Sequence, residues 1–255
     1  MKASTTLSGS KKAILAVSAI VFWLAVWEVS ALILDIRDFF PTVSDILASL
    51  ISIVLTAQFW ATVGMSLIRI LAGLILGVII ALITAFFSMI PAVHIFLMPI
   101  ITVVRSIPVA SFIMIVWLLV SEPLIPTLIA LLMVFPVVWQ NAYDAAVNPP
   151  AELDELSVVY GFGRMKRLLY LVVPSVFKGA LPGIITASGL AWKAGVAAEI
   201  ITYTENSIGR NLAIAKNVIE GADLFAWTII VVLLSLAIEA LIKFCSGKAA
   251  KIWES

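Results

Sequence analysis

Charge is scarce in this sequence, and so are the side chains that ligate metals. Of 255 residues only 12% are charged, with one cysteine, Cys245, and one histidine, His94. A lone cysteine excludes an intrachain disulfide and any cysteine-based metal cluster, and Cys245 reads as an inert thiol in an apolar helix. A lone histidine leaves metal chemistry almost no ligands, so His94 is taken as a helix-end or packing residue. The net charge of +1 gives no reason to expect a nucleic-acid partner. No Gly-x4-Gly-Lys-Ser/Thr loop occurs, so any ATP hydrolysis belongs to another chain. The apolar stretches hold no Asp pair, no Ser/His set and no histidine cluster, which removes the sites of membrane proteases and transferases. There is also no internal repeat and no low-complexity linker, so one domain over residues 1–255 suffices.

What the sequence has is apolar length. Hydrophobic residues make up 63% of it, with a mean hydropathy of +1.17, far above the usage of water-soluble domains. Six runs can cross a bilayer, at 14–34, 62–87, 93–120, 124–146, 181–202 and 224–244. The first follows Lys11 and Lys12 but lacks a small-x-small cleavage site, so it is kept as a spanning helix. An all-α membrane protein with a six-helix bundle is therefore expected. An even number of spans puts both termini on one side. That side collects Lys2, Lys11, Lys12, Arg164, Lys166, Arg167, Lys178, Lys243, Lys248 and Lys251. The opposite loops hold only Arg37, Arg210 and Lys216 among several acids, and the positive-inside rule then places both termini and the 147–178 loop in the cytoplasm.

The third run is interrupted by Pro99, Arg105 and Pro108. It is expected to be a short lead-in helix, a break at Arg105-Ser106-Ile107-Pro108 and then the span proper, and such breaks border cavities. Gly73, Gly77, Ala81 and Ala85, and again Gly179, Gly183, Ala187, Ala191 and Gly195, fall every fourth residue and predict close helix contacts, within the bundle or at a dimer seam. Residues 44–56 and 208–219 carry apolar positions at helical spacing and are expected to lie at the outer membrane surface.

The longest inner loop runs Asn148-Pro149-Pro150-Ala151-Glu152-Leu153-Asp154-Glu155-Leu156 and on to Tyr160-Gly161-Phe162-Gly163-Arg164. The prolines stop one helix and suit the entry to another. Glu152, Asp154 and Glu155 crowd the new first turn, where negative charge complements the helix dipole. Leu153, Leu156 and Tyr160 share an apolar face, and Gly161 fits a left-handed stop. Physics alone leaves this element open between a helix that caps the bundle and one that docks a cytosolic partner.

The loop resembles the EAA loop of ABC importer permeases. That motif pairs a Glu with a glycine six residues on and closes on Ile-x-Leu-Pro, positions filled here by Glu155, Gly161, Leu171, Val173 and Pro174. Leu156-Ser157 stands where the family has two alanines. Along the chain, Trp27-Glu28, Phe40-Pro41-Thr42, Ser66-Leu67-Ile68-Arg69, Arg105-Ser106-Ile107-Pro108, Ala191-Trp192, Ala198-Glu199 and Ser207-Ile208-Gly209 look like the nitrate/sulfonate/taurine branch. The resemblance implies a permease that itself binds no cofactor. Its partners would be a cytosolic ABC ATPase dimer carrying ATP and Mg, a second permease copy, an extracytoplasmic substrate-binding protein and the lipid bilayer. It assigns ATPase coupling to Glu152, Leu153, Glu155, Leu156, Tyr160, Gly161, Arg164 and Pro174.

Arg105, Pro108, Lys193 and Glu199 are the candidates for the translocation path. A charge at Lys193, within the fifth span, is costly unless it faces a cavity or a partner. Lining the path for an anionic solute and pairing with a carboxylate both remain open for it. Glu199, six residues on, cannot pair with it on one helix and is expected to meet interfacial water. A secondary transporter is the rival mechanism, and it would call for more spans and mid-span carboxylates. The branch handles small oxyanions and sulfonates, while relatives import vitamin precursors and other heterocycles.

Overall fold

In the computed structural model of the chain, residues 9–252 are described, with side chains over 14–244 and at Ser246. Lys2 lies outside the described residues, as do the side chains of Lys11, Lys12, Cys245, Lys248 and Lys251. The described residues form helices and turns without a strand: α1 Gly9–Leu34, α2 Val43–Val54, α3 Ala57–Phe87, α4 Pro91–Ser106, α5 Val109–Leu119, a 3-10 turn Glu122–Leu124, α6 Ile125–Val147, α7 Ala151–Val159, α8 Arg164–Arg167, a π turn Leu168–Val172, α9 Val173–Thr202, α10 Ile208–Val218 and α11 Gly221–Ile252. Five stretches are long and apolar enough to cross a membrane, and α4 with α5 makes a sixth candidate if the bent pair counts as one.

The core is a three-helix sandwich with α6 between α3 and α9. The small-residue stripes are what let it close. A Cβ at Gly73 would strike the Thr127 carbonyl, and one at Gly77 would lie 2.8 Å from the Val134 Cβ. Gly179 and Gly183 meet Ala145 and Asn141 of α6 in the same way, and Gly195 admits Ile70 of α3. These five glycines are thus used inside the chain, and no dimer seam is needed to explain them. Trp139 and Trp192 are fully buried, and each indole finds an acceptor, Ser88 Oγ at 3.1 Å and the Val231 carbonyl at 3.0 Å, as buried indoles require.

The third run differs from its expectation. The break falls at Ile107-Pro108, but the lead-in is the longer piece, 16 residues against 11, and the two are bent by 109°. At 1.5 Å per residue they reach about 24 and 16 Å, so neither alone crosses a core of about 30 Å. Ile107 is extended, as a residue before proline prefers. The fifth span also starts earlier than 181, because Arg164 to Thr202 runs as one helical stretch. Pro174 lacks the N–H an α-helix would use there, and the chain passes this point through the π turn, where Val173 N–H donates to the Leu168 carbonyl.

One end of the bundle gathers α2, the 3-10 turn, α10 and the first turn of α11. Asp38 accepts from Gly221 N at 2.9 Å, Ser49 donates to Asp223 at 2.6 Å, and Glu122 accepts from Glu205 N at 2.9 Å. α1 touches the chain only near this end, and residues 14–26 are exposed on every face.

Candidate functional site

At the opposite end, Asn148-Pro149-Pro150 stops α6 and releases α7. Gly161 adopts the left-handed conformation, φ +62°, that ends α7. Of α7 only Ser157 is buried. Leu153 and Leu156 are half exposed, and Val158, Val159 and Tyr160 are about three-quarters exposed. Leu153, Leu156, Tyr160 and Phe162 face Tyr170 and Leu171 across an open crevice of 300 Å³. α7 is tied down by Arg167, whose guanidinium donates to Asp154 at 2.6 and 3.0 Å, and by Phe162 N–H donating to the Ser157 carbonyl at 2.9 Å. Glu152, Glu155 and Arg164 are exposed, and none of them makes an ion pair among the described residues. The sequence named neither Asp154–Arg167 nor Phe162 and Tyr170, because only the fold brings 154 and 167 together.

α9 turns a different face outwards. Pro182, Thr186, Leu190 and Lys193 are exposed along it, and Gly189 has nothing within 4 Å of a built Cβ, unlike the glycines of the core. Lys193 sits nine residues, about 13 Å, from the Thr202 end of α9. It makes no ion pair among the described residues; Glu239 of α11 feels its charge but is taken at 2.5 Å by Lys243. Arg105, also exposed, closes α4 and donates to the Pro136 carbonyl at 3.2 Å, with Pro108 beginning α5 beside it. The structure does not bring Arg105 into contact with Lys193.

Glu199 is not at an aqueous interface. It is fully buried, because α10 packs over it. Its Oε2 accepts from Ser66 Oγ at 2.9 Å and from Gly209 N at 3.2 Å, while Ser66 Oγ accepts from Ile208 N at 3.0 Å. A carboxylate from α9 and a hydroxyl from α3 thus satisfy first-turn amides of α10, where the helix dipole favours negative charge. Only glycine fits at 209, since a Cβ there would run into Glu199 itself. Ile208, Gly209, Leu212, Ala213 and Ala215 are buried in consequence. Both amphipathic segments are pinned this way, since Glu28 of α1 accepts from Val43 N at 2.7 Å.

His94 stacks on Tyr143 at 4.3 Å and lies beside Trp139, a packing role near the start of α4. No group of three His, Cys, Asp or Glu side chains is placed to hold a metal among the described residues.

Residues 73–249 match the family described as the binding-protein-dependent transport system inner membrane component. The chain is similar to the taurine transport system permease protein TauC of Escherichia coli (strain K12), 26% identical over 247 residues that cover 91% of this chain and 88% of the relative. Its fold resembles a solved structure described as an amino acid ABC transporter with histidines, at a TM-score of 0.64 and 15% identity, over 75% of this chain and 94% of that one. An uncovered helix at one end and a family match over most of the chain agree. The chain belongs to the binding-protein-dependent transport system inner membrane components, the non-catalytic permease subunits of ABC importers.

Proposed function

We propose that this permease forms the translocation path for a small solute bearing an oxyanion, of the sulfonate type, delivered by an extracytoplasmic binding protein. Two copies form the path, and both termini are cytoplasmic. α7 is the coupling helix: Glu152, Leu153, Glu155, Leu156 and Tyr160 meet a cytosolic ATPase, while Gly161, Arg164 and Pro174 fix the turn and its return into α9. ATP and Mg stay on that ATPase. The observation that carries this reading is the bareness of α7, a nine-residue helix whose large apolar side chains are about half exposed or more. An apolar face of that kind is stable in water only against a partner. The charges at this end agree with the orientation, since Arg164, Lys166, Arg167, Lys178 and Lys243 gather there.

The path itself is read along the exposed face of α9 and the α4–α5 break. A lysine without a close counter-ion at Lys193, beside Thr186 and the open space at Gly189, suits an anionic group passing through a membrane. The break at Pro108 and the guanidinium of Arg105 supply the second charged wall. Glu199 serves the same path from behind, by holding α10 in place.

Two measurements test the reading. Deleting residues 152–161 should abolish retention of the ATPase subunit in a pull-down, and unchanged retention would overturn the coupling assignment. Uptake of a sulfonate by cells carrying Lys193→Glu should fall about tenfold, the loss of roughly 1.4 kcal/mol, with Lys193→Ala between that and wild type. Equal uptake in all three would remove Lys193 from the path.

A further inference from the structure

Beside the start of α7, between the end of α6 and the start of α9, lies a cavity that the transport reading does not use. It measures 450 Å³ and adjoins the crevice described above, sharing Leu153, Tyr170 and Leu171 with it. Three elements wall it: Asn148 caps α6, Leu153 comes from α7, and Tyr170, Ser175 and Lys178 come from the π turn and α9. A Cβ on Gly179 would strike Ala145, so α6 and α9 touch there and close the floor. The cavities between α3 and α9, along α4, and among α1, α2 and α11 are lined by apolar side chains alone. This one carries a charge.

The side chains of Asn148, Tyr170, Ser175 and Lys178 make no hydrogen bond and no ion pair among the described residues. The wall thus offers an ammonium, an amide and two hydroxyls, each able to donate. No Asp or Glu lines the cavity. Of the acids nearest in sequence, Asp144 accepts from Gln140 at 2.9 Å and Asp154 is held by Arg167 at 2.6 Å. Glu152 is exposed and stands outside the wall. A cation without a counter-ion, set among neutral donors, complements an oxyanion. The remaining wall, with Pro150, Leu153, Leu171 and Pro174, is apolar and suits a short hydrocarbon body. The exposed charges of α7 put this end of the cavity in water, so the ligand is a dissolved solute.

We infer that this cavity binds a small organic oxyanion with a short apolar body, its charged head on Lys178, Asn148 and Ser175. Sulfonates, carboxylates and phosphate esters share that chemistry. The site itself does not depend on the proposed translocation path. On the orientation proposed above, the ligand enters from the cytoplasm. Touching α6, α7 and α9 together, it steadies α7 against the bundle.

Calorimetric titration of the complete transporter in nanodiscs with 1-butanesulfonate tests this. It is run on Lys193→Glu, so that the path proposed above does not contribute. The expected result is one molecule bound per permease chain. Methanesulfonate, with the same head and a shorter body, should bind about tenfold more weakly, and butylammonium should not bind. Adding Lys178→Gln should weaken butanesulfonate about tenfold or more, with the ATPase still retained in a pull-down. No binding, or binding that Lys178→Gln leaves unchanged, would overturn the site. Equal affinity for the two sulfonates would overturn the apolar half of the assignment, and equal affinity for butylammonium the charged half. Loss of the ATPase from Lys178→Gln would give the cavity to an acidic side chain of that partner instead.

Discussion

The two short helices that leave the bundle, α10 at one end and α7 at the other, are built in opposite ways. α10 is 11 residues long with five of them buried, its first turn bonded to side chains from α3 and α9. α7 is nine residues long with one buried, held by an exposed ion pair and one turn bond. Both carry apolar residues at helical spacing. The difference is cover: α10 keeps its apolar face inside the chain and has become core, whereas α7 leaves its face exposed. One end of the permease is covered by its own sequence, and at the other an apolar helix is left bare.

The sharpest way to break this contrast is to cut the clasp. Glu199→Ala leaves the Ser66 hydroxyl and the Gly209 amide without their acceptor in a buried place. It should cost about 3 kcal/mol, seen as a lower unfolding temperature of the assembled transporter. An unchanged unfolding temperature would mean that α10 is not part of the core. Next in size, Leu153→Asp should weaken ATPase binding by about 2 kcal/mol in a titration of the purified subunits. The permease's own unfolding should move by less than about 0.5 kcal/mol, since an exposed position bears no core load. If instead stability falls and binding holds, α7 is a cap and the comparison inverts. The smallest effect is expected for Asp154→Ala. An ion pair with both partners about two-fifths exposed contributes under about 1 kcal/mol. Hydrogen exchange over residues 151–160 should rise in that variant while the bundle is unmoved, and protection equal to wild type would leave the ion pair no part in steadying the lever.

The same two helices mark what could be read from the sequence. For α7 the stop at Pro149-Pro150, the acidic first turn and the left-handed Gly161 are all local signals, and the helix lies where they put it. For α10 the periodicity gives the helix and its apolar face, but not the α9 and α11 surfaces that lie against it. Leu212 against Arg210 and Lys216 reports an apolar face, but not whether a membrane or α9 and α11 will cover it. Glu199 had the same blindness. Its partner Ser66 is 133 residues away in sequence, so no hydropathy window could see that the carboxylate is shielded. The glycine stripes were legible as close contacts because the four-residue spacing is a property of one helix. Which helix fills the groove is not: α6 meets Gly73, Gly77, Gly179 and Gly183, while α3 meets Gly195.

The sparse footing of α1 carries a consequence for how the chain is made. Trp27 and Glu28 bond within 15 residues, to Pro41 and Val43, so α1 and α2 can join as soon as both have left the ribosome. Phe225, the third side of the corner that α1, α2 and α11 form, is 198 residues later than Trp27, a delay of about 10–40 s at ordinary rates of synthesis. The helical hairpin of α1 and α2 must therefore wait in the bilayer, already joined, while α3, α6 and α9 close on one another. α11 arrives last and closes the corner, which makes this the final part of the permease to assemble and the first place where truncation of the C-terminal helix would be felt.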